Sequence, residues 1–349
     1  MYKEDFFHYT KTFELESGKT LPGFQLSYST FGKLNEAKDN VIWVCHALTA
    51  NSNFLDWWEG LFGKGRLYDP EKYFIICANI LGSCYGSTGP LSINPDTKKP
   101  FYHSFPQLTN RDMVRAFDLL RQSLQIEQIH TLIGGSLGGQ HALEWSIMEA
   151  DRIKHLIQIC SNAQHSPWGI AFNESQRMAI EQDPSWEKNE DTAGLQGLAT
   201  ARAIALLSYR HYNTYQNTQQ EKGNGKLDNY RASSYQRYQG EKLVRRFNAY
   251  SYWILSKAMD SHHVGRGRGS VEEALAKVKA HALFVGVSTD VLFPLSEQQY
   301  LAEQIPQAHL AVIESDYGHD GFLIEIPSLS ENITHFYEKA RQEPAITNV

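Results

Sequence analysis

The chain has 349 residues, and its 33 Lys and Arg against 39 Asp and Glu give a formal charge of −6 at neutral pH. Proteins that bind nucleic acid usually carry a basic excess or a basic stripe, because neutralising phosphates drives that binding, so this charge argues against a nucleic-acid partner. A hydrophobic fraction of 42% with 12% aromatic residues indicates a folded protein with a sizeable core, and excludes a disordered chain.

Targeting and metal-binding signals are absent from the sequence. Residues Met1–Asp5 lack the apolar segment of a signal peptide, and no stretch approaches the roughly 20 apolar residues of a membrane span, so we expect a cytoplasmic protein with no membrane partner. The cysteines have neither paired nor C-x-x-C spacing, which predicts reduced thiols and no metal site. They are Cys45, Cys77, Cys84 and Cys160.

Six short apolar, β-branched runs predict strands that are buried on both faces, because a strand with one wet face would alternate polar and apolar residues. They are Asn40–His46, Tyr73–Ile80, Ile129–Gly134, Ile153–Cys160, His281–Val287 and His309–Glu314. Helical patterns between or after them cover Arg111–Gln125, Gly139–Glu149, Ser296–Gln304 and Gly321–Arg341. Strands and helices in alternation predict an α/β fold with a mostly parallel sheet and helices on both sides.

The alternation stops over residues 162–269, which predicts a helical cap inserted into a core domain made of residues 1–161 and 270–349. Within this cap, helical periodicity covers Gln196–Tyr209 and Glu241–Asp260. The polar segment Asn213–Gln239 predicts a mobile loop, and the glycine-rich segment Gly265–Gly269 predicts a return linker.

A candidate nucleophile follows the third predicted strand. Gly134-Gly135-Ser136-Leu137-Gly138 matches G-x-S-x-G at a strand-to-helix turn, where the strained backbone lifts the serine hydroxyl above the sheet. An ordinary glycine-rich turn is the alternative, but the strand before the motif and the amphipathic helix after it favour a nucleophile at Ser136.

A serine nucleophile needs a base and an acid that orients the base. In α/β-hydrolases the acid follows a late strand and the histidine follows the last one, and Asp290 and His319 occupy those two places. Asp316 is a rival acid, and Asp290 could instead cap a helix.

The oxyanion of such a reaction needs two N–H donors. We expect one from Leu137 at the start of the helix and the other from Leu48, with Ala47 as the alternative, in the loop after the first predicted strand. His46, just before that loop, is interpreted as a packed scaffold residue.

Several stretches together resemble the homoserine O-acyltransferases, enzymes with the α/β-hydrolase fold, over nearly the whole chain. The stretches are His46–Thr49, Tyr73–Pro90, Gly134–Trp145, Phe172–Glu174, Asp290–Pro294 and Gly318–Asp320. A generic esterase would share only the serine motif and the order of the triad.

The resemblance implies a ping-pong transfer of an acyl group from acyl-CoA to Ser136 and then to the hydroxyl of L-homoserine, in methionine biosynthesis. It implies no metal or prosthetic group, with acetyl-CoA as a co-substrate, and it places Arg202, Tyr209 and Asp320 around the amino acid. It also implies a homodimer, which we attribute to the apolar cap helices around Leu243–Met259.

The residues themselves leave alternatives open. Arg202 lies on an apolar helix and needs an anionic partner, which could be a substrate carboxylate or a structural acid such as Glu174 or Glu144. Tyr209, seven residues later, lies on the same helix face and could simply be core. The donor could be succinyl-CoA, and a carboxylester hydrolase or a catalytically inactive interaction protein would share the fold.

Overall fold

The computed structural model describes residues 2–342 of the chain. Its main sheet has eight strands in the order β1-β4-β6-β5-β7-β8-β9-β10, and β2 and β3 form a separate two-stranded sheet. The strands are β1 (Lys3–Tyr9), β2 (Phe13–Glu14), β3 (Thr20–Leu21), β4 (Phe24–Phe31), β5 (Val41–Cys45), β6 (Phe74–Ala78), β7 (Ile129–Gly135), β8 (Ile153–Ile159), β9 (His281–Val287) and β10 (Ala308–Ile313).

Six neighbouring strands of the main sheet, from β6 to β10, are parallel. These are the six strands that the sequence predicts, so the α/β fold is confirmed. The antiparallel strands β1 and β4 extend the sheet at its other edge and were not predicted. The alternation of buried and less buried residues along β4 explains this, because β4 lacks the continuous apolar run that marks the other strands.

The parallel strands are buried on both faces except at the edge. Trp43 and Cys45 of β5 belong to one hydrophobic cluster, and the intervening Ile42 and Val44 belong to the other. The prediction of two buried faces is wrong for β10, whose Leu310 is 38% exposed, because β10 is the edge strand and has a neighbour on one side only.

Helices cover both faces of the sheet. They are α1 (Phe54–Trp57), α2 (Asn110–Ser123), α3 (Leu137–Met148), α4 (Pro167–Glu181), α5 (Leu195–Tyr209), α6 (Tyr212–Gln219), α7 (Arg231–Val244), α8 (Ala249–Asp260), α9 (Val271–Leu275), α10 (Leu295–Gln304), α11 (Gly321–Ile324) and α12 (Ile326–Ala340). Short 3₁₀ helices cover Tyr102–Ser104, Ala150–Arg152 and Gly318–Asp320. Among residues 2–342, none of the helices combines the length and the hydropathy that a membrane span requires.

Helices α4 to α8 lie between β8 and β9, within the segment 162–269 that the sequence predicts as a cap. We call residues 162–269 the cap and keep its division from the core as a prediction, because the cluster around Trp43 continues into Leu198 and Leu255 of the cap. The prediction of a loop over Asn213–Gln239 is wrong, since α6 and the first half of α7 occupy most of it.

The predicted helix over Glu241–Asp260 is interrupted. Helix α7 ends at Val244, and α8 begins at Ala249 with the side chain of Asn248 accepting the N–H of Ser251 at 2.8 Å. An asparagine at the N-cap stabilises a new helix start, which periodicity alone does not reveal.

The apolar residues of α8 do not support the expected dimer. Tyr250, Tyr252 and Leu255 are at most 2% exposed within the single chain, so they belong to its own core. The homodimer therefore stays a prediction that rests on the family resemblance.

The glycine-rich segment Gly265–Gly269 is fixed to the core by ion pairs. Arg266 binds Glu16 with an N–O distance of 2.9 Å, and Arg268 binds Glu144, which also accepts from Arg111 at 2.8 Å. This linker is therefore anchored, which the glycine content did not predict.

Buried histidines make the folded state sensitive to acid. Burial lowers the pKa of His155 to about 3 and that of His262 to about 4, against about 6.5 in an unfolded chain. The unfolded state therefore binds more protons below pH 6.5, and the free energy of unfolding falls as the pH drops through 6.5 towards these lower values.

We expect each such histidine to remove at most about 1.4 kcal/mol of stability per pH unit, from about pH 6 down towards its own lowered pKa. The measurement is urea unfolding at a series of pH values. Changing His155 to Gln should flatten the pH dependence, whereas changing the exposed His8 to Gln should leave it as in the parent chain. An H155Q variant with the parent's pH dependence would contradict this explanation.

Candidate active site

The sequence-predicted site residues meet at the carboxyl edge of the parallel sheet. A cavity of about 310 Å³ is lined by Ser136, His319 and Asp320 from the core and by Arg202 and Tyr209 from α5 of the cap. Leu48 and Ala47 also line it. A larger surface groove of about 1010 Å³ runs along α12, but it contains none of these groups, so the smaller cavity is the candidate site.

Ser136 is held at the turn between β7 and α3 in a backbone conformation that is costly for a serine. Its φ is 56° and its ψ is −125°, a sparsely populated region. The Ser136 N–H donates to the Ile159 carbonyl at 2.9 Å, and the Ser136 carbonyl accepts from the Ser161 hydroxyl at 2.8 Å. The backbone of Ser136 is therefore held at its N–H by the end of β8 and at its carbonyl by Ser161, just after β8.

Close packing at this elbow requires glycine. A Cβ atom on Gly138 would lie 2.0 Å from the carbonyl oxygen of Cys45, at the end of β5. The amino end of α3 therefore approaches the strand that leads into the Leu48 loop, and this brings the two expected oxyanion donors to the same place.

His319 and Asp290 form the expected pair. The Nδ1–H of His319 donates to Oδ2 of Asp290 at 2.7 Å. The other carboxylate oxygen, Oδ1, accepts the N–H groups of Leu292 and Phe293 at 2.8 and 2.9 Å. These two backbone N–H groups fix the carboxylate of Asp290. The carboxylate in turn binds Nδ1 of His319, which leaves Nε2 of His319 available to the cavity.

The charges around His319 outweigh its burial. Burial alone pushes the pKa of His319 down, but the negative charge of Asp290, its hydrogen bond and the charge of Asp320 raise the net pKa above the usual 6.5. A histidine with a raised pKa is a stronger base, which suits the removal of a proton from a hydroxyl group.

The rival acid Asp316 points elsewhere. Its carboxylate accepts from the side-chain amide of Asn213 at 2.8 Å, and its backbone carbonyl accepts from the hydroxyl of Thr214. Asp316 therefore fixes the start of α6 and belongs to a different, exposed pocket.

The loop after β5 forms a tight turn. The Ala50 N–H donates to the Ala47 carbonyl at 3.0 Å, so the Leu48 N–H takes no part in closing the turn. At α3, the Leu137 N–H is the first amide of a helix and has no acceptor within the helix. Neither bond pattern uses the Leu48 or the Leu137 N–H, and their role as oxyanion donors stays a prediction.

His46 supports this turn. Its Nε2 accepts the N–H of Ile80 at 3.1 Å, so Nδ1 carries the proton and donates to the Ala47 carbonyl at 2.8 Å. Burial lowers the pKa of His46 to about 4, which keeps the ring neutral. These contacts agree with a scaffold role.

Arg202 lies 5.3 Å above the ring of Tyr209, measured from its guanidinium carbon to the ring centroid. Neither structural acid that the sequence offers is its partner, because Glu174 binds Arg177 and Glu144 binds Arg111 and Arg268. Among residues 2–342 no carboxylate lies within ion-pair distance of Arg202. A guanidinium that lines a cavity in this way suits an anionic ligand.

Asp320 has a partner that sequence reasoning missed. Nε of Arg210 lies 3.0 Å from its Oδ2, and this ion pair links Asp320 to the end of α5. Arg246 also lines the cavity and was not predicted. Neither arginine follows a strand or belongs to a motif, so position in the sequence gave no signal for either of them.

A metal at the triad fits poorly. In the described part of the chain, the only three potential ligand atoms that lie within 4.8 Å of one another belong to Cys160, Asp290 and His319. Burial raises the pKa of the Cys160 thiol well above its usual range, while metal binding requires a thiolate. Both oxygens of Asp290 are already occupied, so the arrangement suits a triad better, and the absence of a cofactor stays a prediction.

Comparisons with known proteins show the fold and the family of this chain. A family model described as the alpha/beta hydrolase fold matches residues 40–325. A homoserine O-acetyltransferase from Cyclobacterium marinum is 52% identical over 334 residues, covering 96% of this chain and 95% of the relative. Another, from Nostoc punctiforme, is 42% identical over 341 residues, covering 95% and 96%.

Solved structures are similar in fold. The homoserine O-acetyltransferase from Bacillus anthracis matches with a TM-score of 0.90 at 25% identity, covering all of both chains. The esterase E22 matches with a TM-score of 0.88 at 23% identity, covering 96% of this chain and 100% of the esterase, a likeness that shows the fold alone.

Changing Asp290 to Asn should reduce the rate of p-nitrophenyl acetate cleavage by about 10³ to 10⁴, because the amide cannot hold the His319 tautomer or stabilise its charge. NMR titration should show a lower pKa for His319 in this variant, because the Asp290 charge that raises this pKa is lost and the burial that lowers it remains. Asp316→Asn is the matched control and should cleave the ester at the parent rate. A larger loss in D316N than in D290N would assign the acid to Asp316.

Proposed function

Because this chain belongs to the homoserine O-acetyltransferases, within the family of the α/β-hydrolase fold, we propose that it moves an acetyl group from acetyl-CoA to L-homoserine by a ping-pong reaction at Ser136. The observation that carries this proposal is the cavity itself, which Arg202 lines together with Ser136 and His319, while no carboxylate among residues 2–342 lies within ion-pair distance of Arg202. An esterase needs no such cationic group.

In the first half-reaction, the Ser136 hydroxyl attacks the thioester carbonyl and passes its proton to Nε2 of His319. The N–H groups of Leu48 and Leu137 stabilise the oxyanion, Asp290 stabilises the imidazolium, and collapse of the intermediate transfers the proton to the departing CoA thiol. The acetyl group is then an ester on Ser136.

In the second half-reaction, the hydroxyl of homoserine loses its proton to His319 and attacks the acetyl ester, and Ser136 leaves with that proton. Arg202 would bind the substrate carboxylate in bidentate fashion, and Tyr209 beneath the guanidinium would fix its plane. Asp320, oriented by Arg210, would accept the ammonium group. These contacts favour an amino acid over water as the acceptor.

The donor is proposed as acetyl-CoA because the relatives are named acetyltransferases. A succinyl donor would add a carboxylate that needs a further cation. Arg246 is the other arginine at the cavity, but its guanidinium already donates to the Thr49 carbonyl and to the Tyr85 hydroxyl. The product, an O-acylated homoserine, would enter methionine biosynthesis, as the family resemblance implies.

The proposal is tested by following thiol release and product mass with acetyl-CoA or succinyl-CoA, each with homoserine, serine or no amino acid. We expect sustained thiol release only with acetyl-CoA and homoserine together, with formation of O-acetylhomoserine. Rapid thiol release without any amino acid would instead identify a hydrolase, and a preference for succinyl-CoA would overturn the donor assignment.

Changing Arg202 to Gln should raise the KM for homoserine at least tenfold while acylation by acetyl-CoA stays within about twofold, because the lost bond is to the acceptor's carboxylate. Arg202→Lys should show an intermediate loss, since a lysine keeps the charge but loses the bidentate geometry. Arg237→Gln, on an exposed part of α7, is the control for removing a cap arginine. Equal losses in both half-reactions of R202Q would show that Arg202 is structural.

A further inference from the structure

Arg246 lies in the break between α7 and α8 and contacts the turn of residues 47–50, which carries the expected oxyanion donor Leu48. Helix α7 ends at Val244, and Phe247 packs its ring 5.7 Å from that of Tyr85, so Arg246 extends towards the core. Nη1 of Arg246 donates to the carbonyl of Thr49 and, at 2.6 Å, to the hydroxyl of Tyr85. One cap side chain therefore joins two loops of the core.

The bond to Thr49 acts on a peptide group that closes the turn. The Thr49 carbonyl and the Ala50 N–H belong to the same planar peptide unit. Because that N–H donates to the Ala47 carbonyl at 3.0 Å, fixing the Thr49 carbonyl also fixes the direction of the bond that closes the turn.

The next peptide unit carries the expected oxyanion donor. The Ala47 carbonyl and the Leu48 N–H again share one plane. The Ala47 carbonyl accepts two bonds, from Ala50 and from Nδ1 of His46 at 2.8 Å, and these set the direction of the Leu48 N–H. The orientation of the Ala47–Leu48 peptide group is therefore fixed directly by His46 of the core. Arg246 of the cap fixes it indirectly, through the Thr49–Ala50 peptide group.

We propose that Arg246 is a positioning residue that aims the Leu48 N–H at the oxyanion, and that it makes this donor dependent on the placement of the cap. The inference rests on the proposed acyl-enzyme chemistry at Ser136. Since an oxyanion donor acts mainly on the transition state, loss of Arg246 affects the rate of acylation and leaves ground-state binding of the donor unchanged.

The variant Arg246→Gln is compared with the parent in the burst of p-nitrophenol from p-nitrophenyl acetate, without CoA or amino acid. We expect the acylation rate constant to fall about tenfold or more, with ester binding within about twofold, because misaiming a donor costs part of what deleting it costs. Affinity for a trifluoromethyl ketone, which forms a tetrahedral oxyanion on serine, should fall by the same factor.

Two further variants separate positioning from charge and from folding. Arg246→Lys should recover part of the rate, since an ammonium group still donates to the Thr49 carbonyl. Arg245→Gln removes a neighbouring exposed charge and should acylate at the parent rate. Melting temperatures of all variants should match, because Arg246 itself is an exposed residue.

The proposal is overturned if R246Q shows the parent burst, or if its only defect is a higher KM for acetyl-CoA, which would make Arg246 a donor-binding residue. The burst needs Ser136 but no acceptor. A parent protein that gives the burst but never acetylates homoserine would therefore refute the proposed function and leave this inference intact.

Discussion

The positive φ of Ser136, held between β7 and α3, sets where the other groups of the site must lie. Such a conformation costs about 1 to 3 kcal/mol in a non-glycine residue, and here the bonds to Ile159 and Ser161 maintain it. Because the hydroxyl stands at the carboxyl edge of a parallel sheet, the loops after β5, β9 and β10 are among those that lie at the same edge. Leu48, Asp290 and His319 come from those three loops.

The cap supplies three arginines at or next to the site, whereas the core supplies its carboxylates. Arg202 lines the cavity, and no carboxylate among residues 2–342 lies within ion-pair distance of it, while Arg210 pairs with Asp320 and Arg246 bonds to the turn that carries Leu48. Arg210 and Arg246 contact core residues, Asp320 for the first and Thr49 and Tyr85 for the second. The cap therefore does more than cover the cavity, since the groups for the acceptor and the turn for the oxyanion both depend on where its helices lie.

The sequence predicted what depends on strand order and on local motifs. The six parallel strands, the serine turn and the two groups of the acid–base pair all follow from apolar runs and from residues placed just after them. The sequence did not predict the features that depend on contacts between residues far apart in the chain. The Arg246 side chain lies in the break between α7 and α8, which the Asn248 cap bond marks, and Tyr250 of α8 is buried against Tyr102 and His103, which are far away in the sequence. Arg202 and Tyr209 needed the family resemblance, since an arginine on an apolar helix is equally typical of a structural ion pair.

The central claim is that Ser136 carries the acyl group between donor and acceptor. The most direct measurement is mass spectrometry of peptides from protein mixed with acetyl-CoA alone, quenched in acid, and from a second sample to which L-homoserine is added before the quench. The account predicts one acetyl group on the peptide that contains Ser136, and its disappearance, with an equal amount of O-acetylhomoserine, in the second sample. An acetyl group on another residue, or one on Ser136 that homoserine does not remove, would contradict it.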